Sequence, residues 1–263
     1  MQTLSIVGPA ADRLAERLAS RLDGRVATVE RLPDRESGPE TDGVDGAFGL
    51  VDDGSWVGAG ADRSLTDLLD TLAPEYDYAL LSGLPEVRAP TVVVGETVEV
   101  RGDVVETVDS VDDVDLETLA RHADDGEPYV TLETLVERVK QSPRAERAGA
   151  IATFTGRVRA KESDDDSRTT HLAFEKYEGV AEDRMATISE ELTAREGVEE
   201  VAMHHRTGVI EDGEDIVFVV VLAGHRTESF RTVEDGINRL KDEVPIFKKE
   251  TTVDEEFWVH DRQ

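Results

Sequence analysis

A chain of 263 residues, 33% charged and 38% hydrophobic, with net charge −30 and pI near 4.4, is long enough for one large domain or two ordinary ones. The acidity argues against nucleic acid as a partner, and the absence of cysteine excludes disulfides, thiolate metal sites and a cysteine nucleophile. Apolar runs such as 216–222 indicate a folded protein. The acid therefore belongs to a surface suited to the salty cytoplasm of an extreme halophile, where screening limits self-repulsion. The first residues lack the basic-then-apolar pattern of a signal peptide, and no apolar run approaches the ~20 residues that span a bilayer. A soluble, cytoplasmic protein with no membrane partner is the expectation.

The first half alternates strand and helix signals. Residues 4–7 form a short apolar strand ending at Gly8. Residues 12–22 form a helix with Leu14, Leu18 and Leu22 on one face. Strands follow at 25–30 and 46–51, a helix at 65–72, and buried-type strands at 76–82 and 91–94. That order predicts a small α/β domain over 1–102, with helices covering a parallel sheet. Residues 103–127 carry ten acids and one base and read as an acidic linker, 103–128. Residues 1–128 are net −19 and the remainder net −11, so the second half is relatively basic.

A strand, a glycine and a helix at the N-terminus invite a phosphate-loop reading. The motif started at Gly8 requires Gly-Lys-Ser/Thr at 13–15, where this chain has Arg13, Leu14 and Ala15. With Asp77-Tyr78-Ala79-Leu80-Leu81-Ser82-Gly83 as a second strand and turn, the arrangement resembles the MobB-type GTP-binding domain of molybdenum-cofactor assembly, P-loop-like but lacking a working phosphate loop.

The second half, 129–263, reads as an α+β domain. A helix over 131–140 starts at Thr131 as N-cap, although Thr134 stands where a capping box takes an acid or amide. A strand at 150–159, a polar loop at 160–168, and a strand at 171–177 follow. A helix over 181–195 is closed by Gly197. Strands at 201–206 and 215–222 lead to Gly224-His225-Arg226. Thr227 is expected to cap a helix with Phe230, Val233, Ile237 and Leu240 on its apolar face, stopped by Pro245. A last strand covers 251–260.

Three of the six lysines, Lys241, Lys248 and Lys249, fall within nine residues of a chain that takes 23 of its 29 basic side chains as Arg. An amine can give up a proton and act as a nucleophile, which a guanidinium does not do. Phe154-Thr155-Gly156-Arg157-Val158-Arg159 ends a strand with two arginines on one face, and His225-Arg226 lies at a helix N-terminus. Arginines, a histidine and a helix N-terminus suit phosphate or carboxylate, and the lysines add acid–base or nucleophilic capacity. Each piece also has a plainer reading: solvated strand arginines, a capping histidine, a surface lysine pair.

Together, residues 154–159, His225-Arg226 and Leu240-Lys241-x3-Pro245-x2-Lys248-Lys249-Glu250 resemble the MoaE family, the catalytic subunits of molybdopterin synthase. Phe174-Glu175-x-Tyr177-x-Gly179 and His205-Arg206-x-Gly208 support the match, and Phe247 departs from the family's usual Trp. The resemblance implies an α/β hammerhead type of α+β fold and a sulfurtransferase. That enzyme converts cyclic pyranopterin monophosphate to molybdopterin by inserting two dithiolene sulfurs. The sulfur arrives as the C-terminal thiocarboxylate of a small ubiquitin-like, MoaD-like carrier whose Gly-Gly tail threads into the pocket. It implies Lys241 as the catalytic amine with Lys248 as its partner. Arg157, Val158, Arg159, His225, Arg226, Lys249, Glu250 and Phe154 would bind or line the substrate site. It further implies a homodimer within a heterotetramer, and no metal or cofactor. The other readings are a nucleotide-binding accessory protein led by the first half, or a non-catalytic protein that docks the carrier.

Overall fold

The computed structural model describes residues 1–32, 45–52, 55–96, 98–177, 179–253 and 256–259. The chain divides into two compact units, Met1–Tyr129 and Val130–Gln263. No described helix is long and apolar enough to cross a membrane.

The first unit is α/β. In chain order it contains β1 (Gln2–Val7), α1 (Ala11–Ala19), β2 (Val26–Glu30), β3 (Gly46–Leu50), β4 (Trp56–Gly60), α2 (Leu65–Leu72), β5 (Tyr78–Ser82), β6 (Thr91–Val94), β7 (Val104–Val108) and α3 (Leu116–Asp124). Five of these strands form a parallel sheet in the order β2-β5-β1-β6-β7. The leucine stripe works as its spacing predicts: Leu14 and Leu18 bury against Leu4, Ile6, Leu80 and Val92. The helix ends before Leu22, which only borders that cluster. Ser64 and Asp67 form a reciprocal capping box on α2.

The acidic run 103–127 is not a linker. Its first strand, β7, extends the sheet beside β6, and Leu119 and Ala123 of α3 sit in the same core as Leu14. Val105, Val111, Leu116, Leu119 and Ala123 supply the buried or half-buried apolar positions, and Val104 and most of the acids face water between them. Acid density reports exposure of one face; here it does not report absence of structure.

Only Gly8, Pro9 and Ala10 connect β1 to α1. Gly8 has φ +110, and a Cβ there would lie 2.0 Å from the Val94 carbonyl oxygen. The glycine serves a tight turn against β6, and three residues are too few to wrap a phosphate. β3 and β4 form a separate two-stranded ribbon on which Phe48, Leu50, Trp56 and Val57 are exposed.

The second unit is α+β. It contains α4 (Leu132–Lys140), β8 (Ala150–Arg157), β9 (Thr169–Lys176), α5 (Val180–Thr193), β10 (Val198–His205), β11 (Gly208–Glu211), β12 (Asp215–Ala223), α6 (Arg226–Glu243), β13 (Ile246–Thr252) and β14 (Glu256–Val259). Two antiparallel sheets result, β10-β12-β8 and β11-β9-β13-β14. β12 is the central strand of its sheet and is buried on both faces, which explains its unbroken apolar run. Phe218, Val220 and Leu222 face Leu135 and Val139 of α4. Val217, Val219 and Val221 share the larger cluster with Ile188 and Leu192 of α5 and Ile237 and Leu240 of α6.

Thr131 caps α4 as predicted. Its hydroxyl accepts from the Thr134 backbone N–H at 3.1 Å, and the two hydroxyls pair at 2.9 Å in place of an acidic box. Three expectations fail here. The N-cap of α6 is His225, extended at φ −137, so Thr227 lies inside the helix. Phe230 is 63% exposed, and the face toward the sheet is Ser229, Thr232, Gly236, Ile237 and Leu240. The strand placed at 251–260 is a hairpin, β13 and β14, whose first strand starts at Ile246 and carries Lys248 and Lys249. His260 lies outside the described residues.

Candidate active site

β12 and β8 run antiparallel, with Asp215 opposite Arg157 at one end and Ala223 opposite Ala150 at the other. The chain leaves β12 at Ala223, turns at Gly224 and enters α6 at Arg226. At about 1.5 Å per residue the 18-residue helix is about 27 Å long, close to the length of the nine-residue strand it follows. It packs back along β12 and β8. Its last turn therefore lies toward the Arg157 end of the sheet, and its first turn toward the Ala150 end.

Lys241 sits in that last turn, exposed, next to Leu240, which is only 3% exposed in the core. Val244 is extended (φ −89, ψ 124) ahead of Pro245, which ends the helix. The end of α6 is held by ions. Arg239 reaches Glu243 at 2.7 Å and Glu191 of α5 at 2.5 Å, and Arg184 of α5 also pairs with Glu243. The hydrogen bonds from Arg239 and then Arg184 hold the Glu243 carboxyl at a pKa of about 2. Glu243 and Glu191 in turn push the Arg239 guanidinium upward.

From Ile246 the chain pairs antiparallel with β9. Lys248 stands opposite Phe174, Lys249 opposite Ala173 and Glu250 opposite Leu172. Because successive strand residues point to opposite faces, Lys248 and Glu250 share the face of buried Phe174 and Leu172. Lys249 takes the other face, with its amine 5.7 Å from the centre of the Trp258 ring. Glu250 accepts a hydrogen bond from the Thr169 hydroxyl. Phe247 meets Tyr177 edge-to-face at 5.4 Å, so an aromatic contact exists at the position where the sequence departs from its family.

Arg157 and Arg159 are both exposed and flank Val158. Arg157 donates to the Gly213 carbonyl and lies 3.4 Å from Asp215; Arg159 pairs with Glu162 at 2.7 Å. Such exposed pairs contribute little stability and can be exchanged for a ligand anion. Val158 does not line an open site. Its side chain is buried, its N–H donates to Glu214 and its carbonyl accepts from Gly213. Phe154 is partly buried against the core, opposite Val219.

His225 and Arg226 are exposed, but at the opposite end of α6 from Lys241, about 24 Å away at helical rise. Within one chain the structure therefore brings Arg157, Arg159, Lys241 and Lys248 to one end of the unit and leaves His225 and Arg226 at the other. The second motif pair, His205-Arg206, belongs to the scaffold. His205 packs edge-to-face on Phe174 at 4.9 Å, and Arg206 donates to the Val130 and Asp215 carbonyls over the Phe218 ring. Sequence reading misses the Arg184–Glu243–Arg239–Glu191 network. The i,i+4 pair Arg239–Glu243 is its one visible signal. Among the described residues no group of three His, Cys, Asp or Glu is placed to hold a metal ion.

An α+β domain that collects arginines and lysine amines beside a helix terminus has the side chains that anion binding and acid–base chemistry require. The MoaE protein family matches residues 128–243. A protein from Haloferax volcanii named "Probable molybdopterin synthase" is 64% identical over 263 residues, covering all of both chains. A "Molybdopterin synthase catalytic subunit" from Halalkalibacterium halodurans is 40% identical over 115 residues, 44% of this chain and 72% of that one. The structure of a MobB homologue from Bacillus stearothermophilus covers 48% of this chain and 99% of that one, at 20% identity and TM-score 0.36. The chain belongs to the MoaE family. It is accordingly an enzyme, with the role of molybdopterin synthase catalytic subunit in molybdenum cofactor biosynthesis.

Proposed function

We propose that this chain converts cyclic pyranopterin monophosphate to molybdopterin, taking two dithiolene sulfurs from the C-terminal thiocarboxylate of a small ubiquitin-like carrier. The observation that carries the reading is the placement of Lys241. It is a solvent-exposed amine on a helix turn pinned by two arginines, at the same end of the domain as Lys248, Arg157 and Arg159. The arginines bind the anionic phosphate and the carrier's terminal carboxylate by charge-assisted hydrogen bonds. Lys241 moves protons or attacks at the reacting carbon, with Lys248 as its partner. Each transfer forms a carbon–sulfur bond at a pterin side-chain carbon while a carbon–oxygen bond of that carbon breaks, the oxygen staying with the opened cyclic phosphate in one transfer and leaving as water in the other. Water then breaks the acyl carbon–sulfur bond, and the carrier leaves as a carboxylate. Glu250 and Phe154 border this site. Lys249, on the far face of β13, contributes least.

His225 and Arg226 enter the same reading through a homodimer. A helix about 24 Å long between them and Lys241 cannot fold back on itself, so the His225-Arg226 pair completes the site of a second copy. With a carrier at each outer end, the assembly is a heterotetramer. The acidic surface agrees with work in a cytoplasm at high salt.

The test is turnover in vitro at high salt with thiocarboxylated carrier and cyclic pyranopterin monophosphate. Wild type forms molybdopterin and Lys241→Ala does not. If Lys241→Ala and Lys248→Ala bind carrier and retain turnover, the chain is a docking protein and the assignment of the amines is wrong.

A further inference from the structure

β8 is an outer strand of its sheet, and among the described strands nothing lies beyond it. No described backbone group bonds to its far edge. An open edge is a template for pairing with another chain, and proteins usually blunt one with lysine, proline or another charge. Residues 150–156 of β8 contain no charged side chain and no proline, in a chain that is 33% charged. Ile151 and Thr153 stand exposed on the strand. The opposite edge of the sheet, β10, is guarded. Its Glu199 pairs with Arg147 at 2.7 Å, and its Glu200 accepts from the Ser142 hydroxyl at 2.9 Å.

The helix above that edge has two unlike flanks. Asp235, Arg239 and Glu243, four residues apart, turn toward α5 and toward Arg195 just beyond it. Arg226, Phe230, Val233, Ile237 and Lys241, spaced by four, three, four and four, form a stripe on the other flank. Because α5 packs on β10 and α6 on β12 and β8, the flank turned away from α5 looks past β8 toward the open edge. The stripe is apolar in its middle and cationic at both ends, and Phe230 is its exposed apolar member. Pairing β8 antiparallel with β8 of a second copy covers the edge and the stripe together. α6, lying over β8 and β12, is then about one strand spacing, 4.8 Å, from the dyad. Two copies of it run antiparallel roughly 10 Å apart, the distance at which helices pack. The helix and the eight-residue strand beneath it are both about 27 Å long, so each first turn falls beside the partner's last. We propose that β8 and the Arg226-to-Lys241 flank of α6 form the self-complementary face of a homodimer, carrying His225 and Arg226 of one copy across the dyad to Lys241 of the other. This deepens the reading above and rests on it: that reading requires a second copy, and the open edge gives its place.

The chain has no cysteine, so a single introduced thiol reports one contact. Directly opposed residues of an antiparallel pair share a face, so the dyad falls on a residue near the middle of β8, Thr153 or Phe154. Their Cα atoms are then about 4.5–5.5 Å apart, within the span of a disulfide. Thr153→Cys and Phe154→Cys are oxidised in the full chain at high salt, beside Glu200→Cys on the guarded edge. One of the first two links chains of 28.9 kDa into a band of twice that mass on a non-reducing gel, and Glu200→Cys does not. In sedimentation equilibrium Phe230→Ala raises the dimer Kd by roughly 10²–10³-fold, because each dyad loses two anchors. Its circular dichroism stays that of wild type, since Phe230 is exposed in the single chain. Its turnover falls on dilution below the new Kd and returns on concentration. A monomeric wild type, a link at Glu200 in place of β8, a link from β8 to the carrier alone, or turnover per chain indifferent to dissociation overturns the proposal. A dimer that crosslinks through β8 yet forms no molybdopterin leaves the interface standing and sinks the functional reading instead.

Discussion

At its first turn α6 starts from an extended, exposed His225 with no side-chain cap, followed by exposed Arg226. At its last turn the same helix is clamped to α5 by Arg184, Arg239, Glu191 and Glu243, and it ends in a proline-led strand that carries Lys248. An end tied by four ionised groups is suited to holding an amine in a fixed place. An end whose His225 and Arg226 side chains face water is suited to receive something from outside. The difference teaches that, on the function proposed above, one chain would hold two unlike halves of a site, separated by the length of one rigid element.

The largest effect is expected at the clamped end. Lys241→Ala lowers kcat by about 10²–10⁴-fold, the usual worth of a proton-transferring group. Its melting temperature changes little because Lys241 is exposed. Retained turnover would remove the amine from the chemistry. A sharper test sets the two ends against each other. His225→Ala alone is impaired, but mixing it with Lys241→Ala under subunit exchange restores up to about a quarter of wild-type activity. Half the random dimers are mixed, and each of those regains one intact composite site. No recovery in the mixture, with exchange verified by mass, would show that the two ends do not serve one site.

The middle of α6 links the ends mechanically. Gly236 faces the sheet, and a Cβ there would lie 3.0 Å from Met203 Cε and from Val219 Cγ1. Gly236→Leu levers the helix off the sheet and costs about 1–3 kcal/mol in denaturant unfolding. It lowers the activity contributed by both ends together, whereas a loss confined to one end would mean that the ends move independently. The smallest effect concerns the clamp itself. Glu243 has its folded pKa depressed to about 2 from an ordinary 4.5. Its contribution is therefore fully present above about 4.5 and is lost as pH falls through about 2. Glu243→Gln lacks that contribution, so the stability gap between wild type and variant closes over this window. A gap that stays constant from neutral pH down to 2 would show that the clamp carries no ionic stabilisation.

Much of this is legible in the sequence. The leucine spacing of α1, the Thr131 cap, the apolar run of β12 and the Pro245 stop are local patterns, and local patterns survive folding. The motif residues are also legible as a set. Three things are not. The acidic stretch that includes β7 and α3 reads as a linker because a high acid count masks its apolar period. Phe230 reads as core because it is in helical phase with Val233, Ile237 and Leu240; α6 instead turns Ser229, Thr232 and Gly236 to the sheet, where a thin helix face allows close approach and leaves Phe230 exposed. Lys248 and Lys249 taken alone read as a surface pair, and pairing with β9 places them on opposite faces of one strand.

By itself the sequence determined the chemistry on offer: amines where arginine is the habit, two arginines flanking a valine, a histidine ahead of a helix and no thiol anywhere. These are properties of side chains and short spacings, which need no partner to be read. Only the tertiary structure decided which of them can act together. Helical rise separates His225 from Lys241, and strand alternation separates Lys248 from Lys249. Distance in a folded chain is set by rise, register and packing, none of which is written in the order of the residues alone.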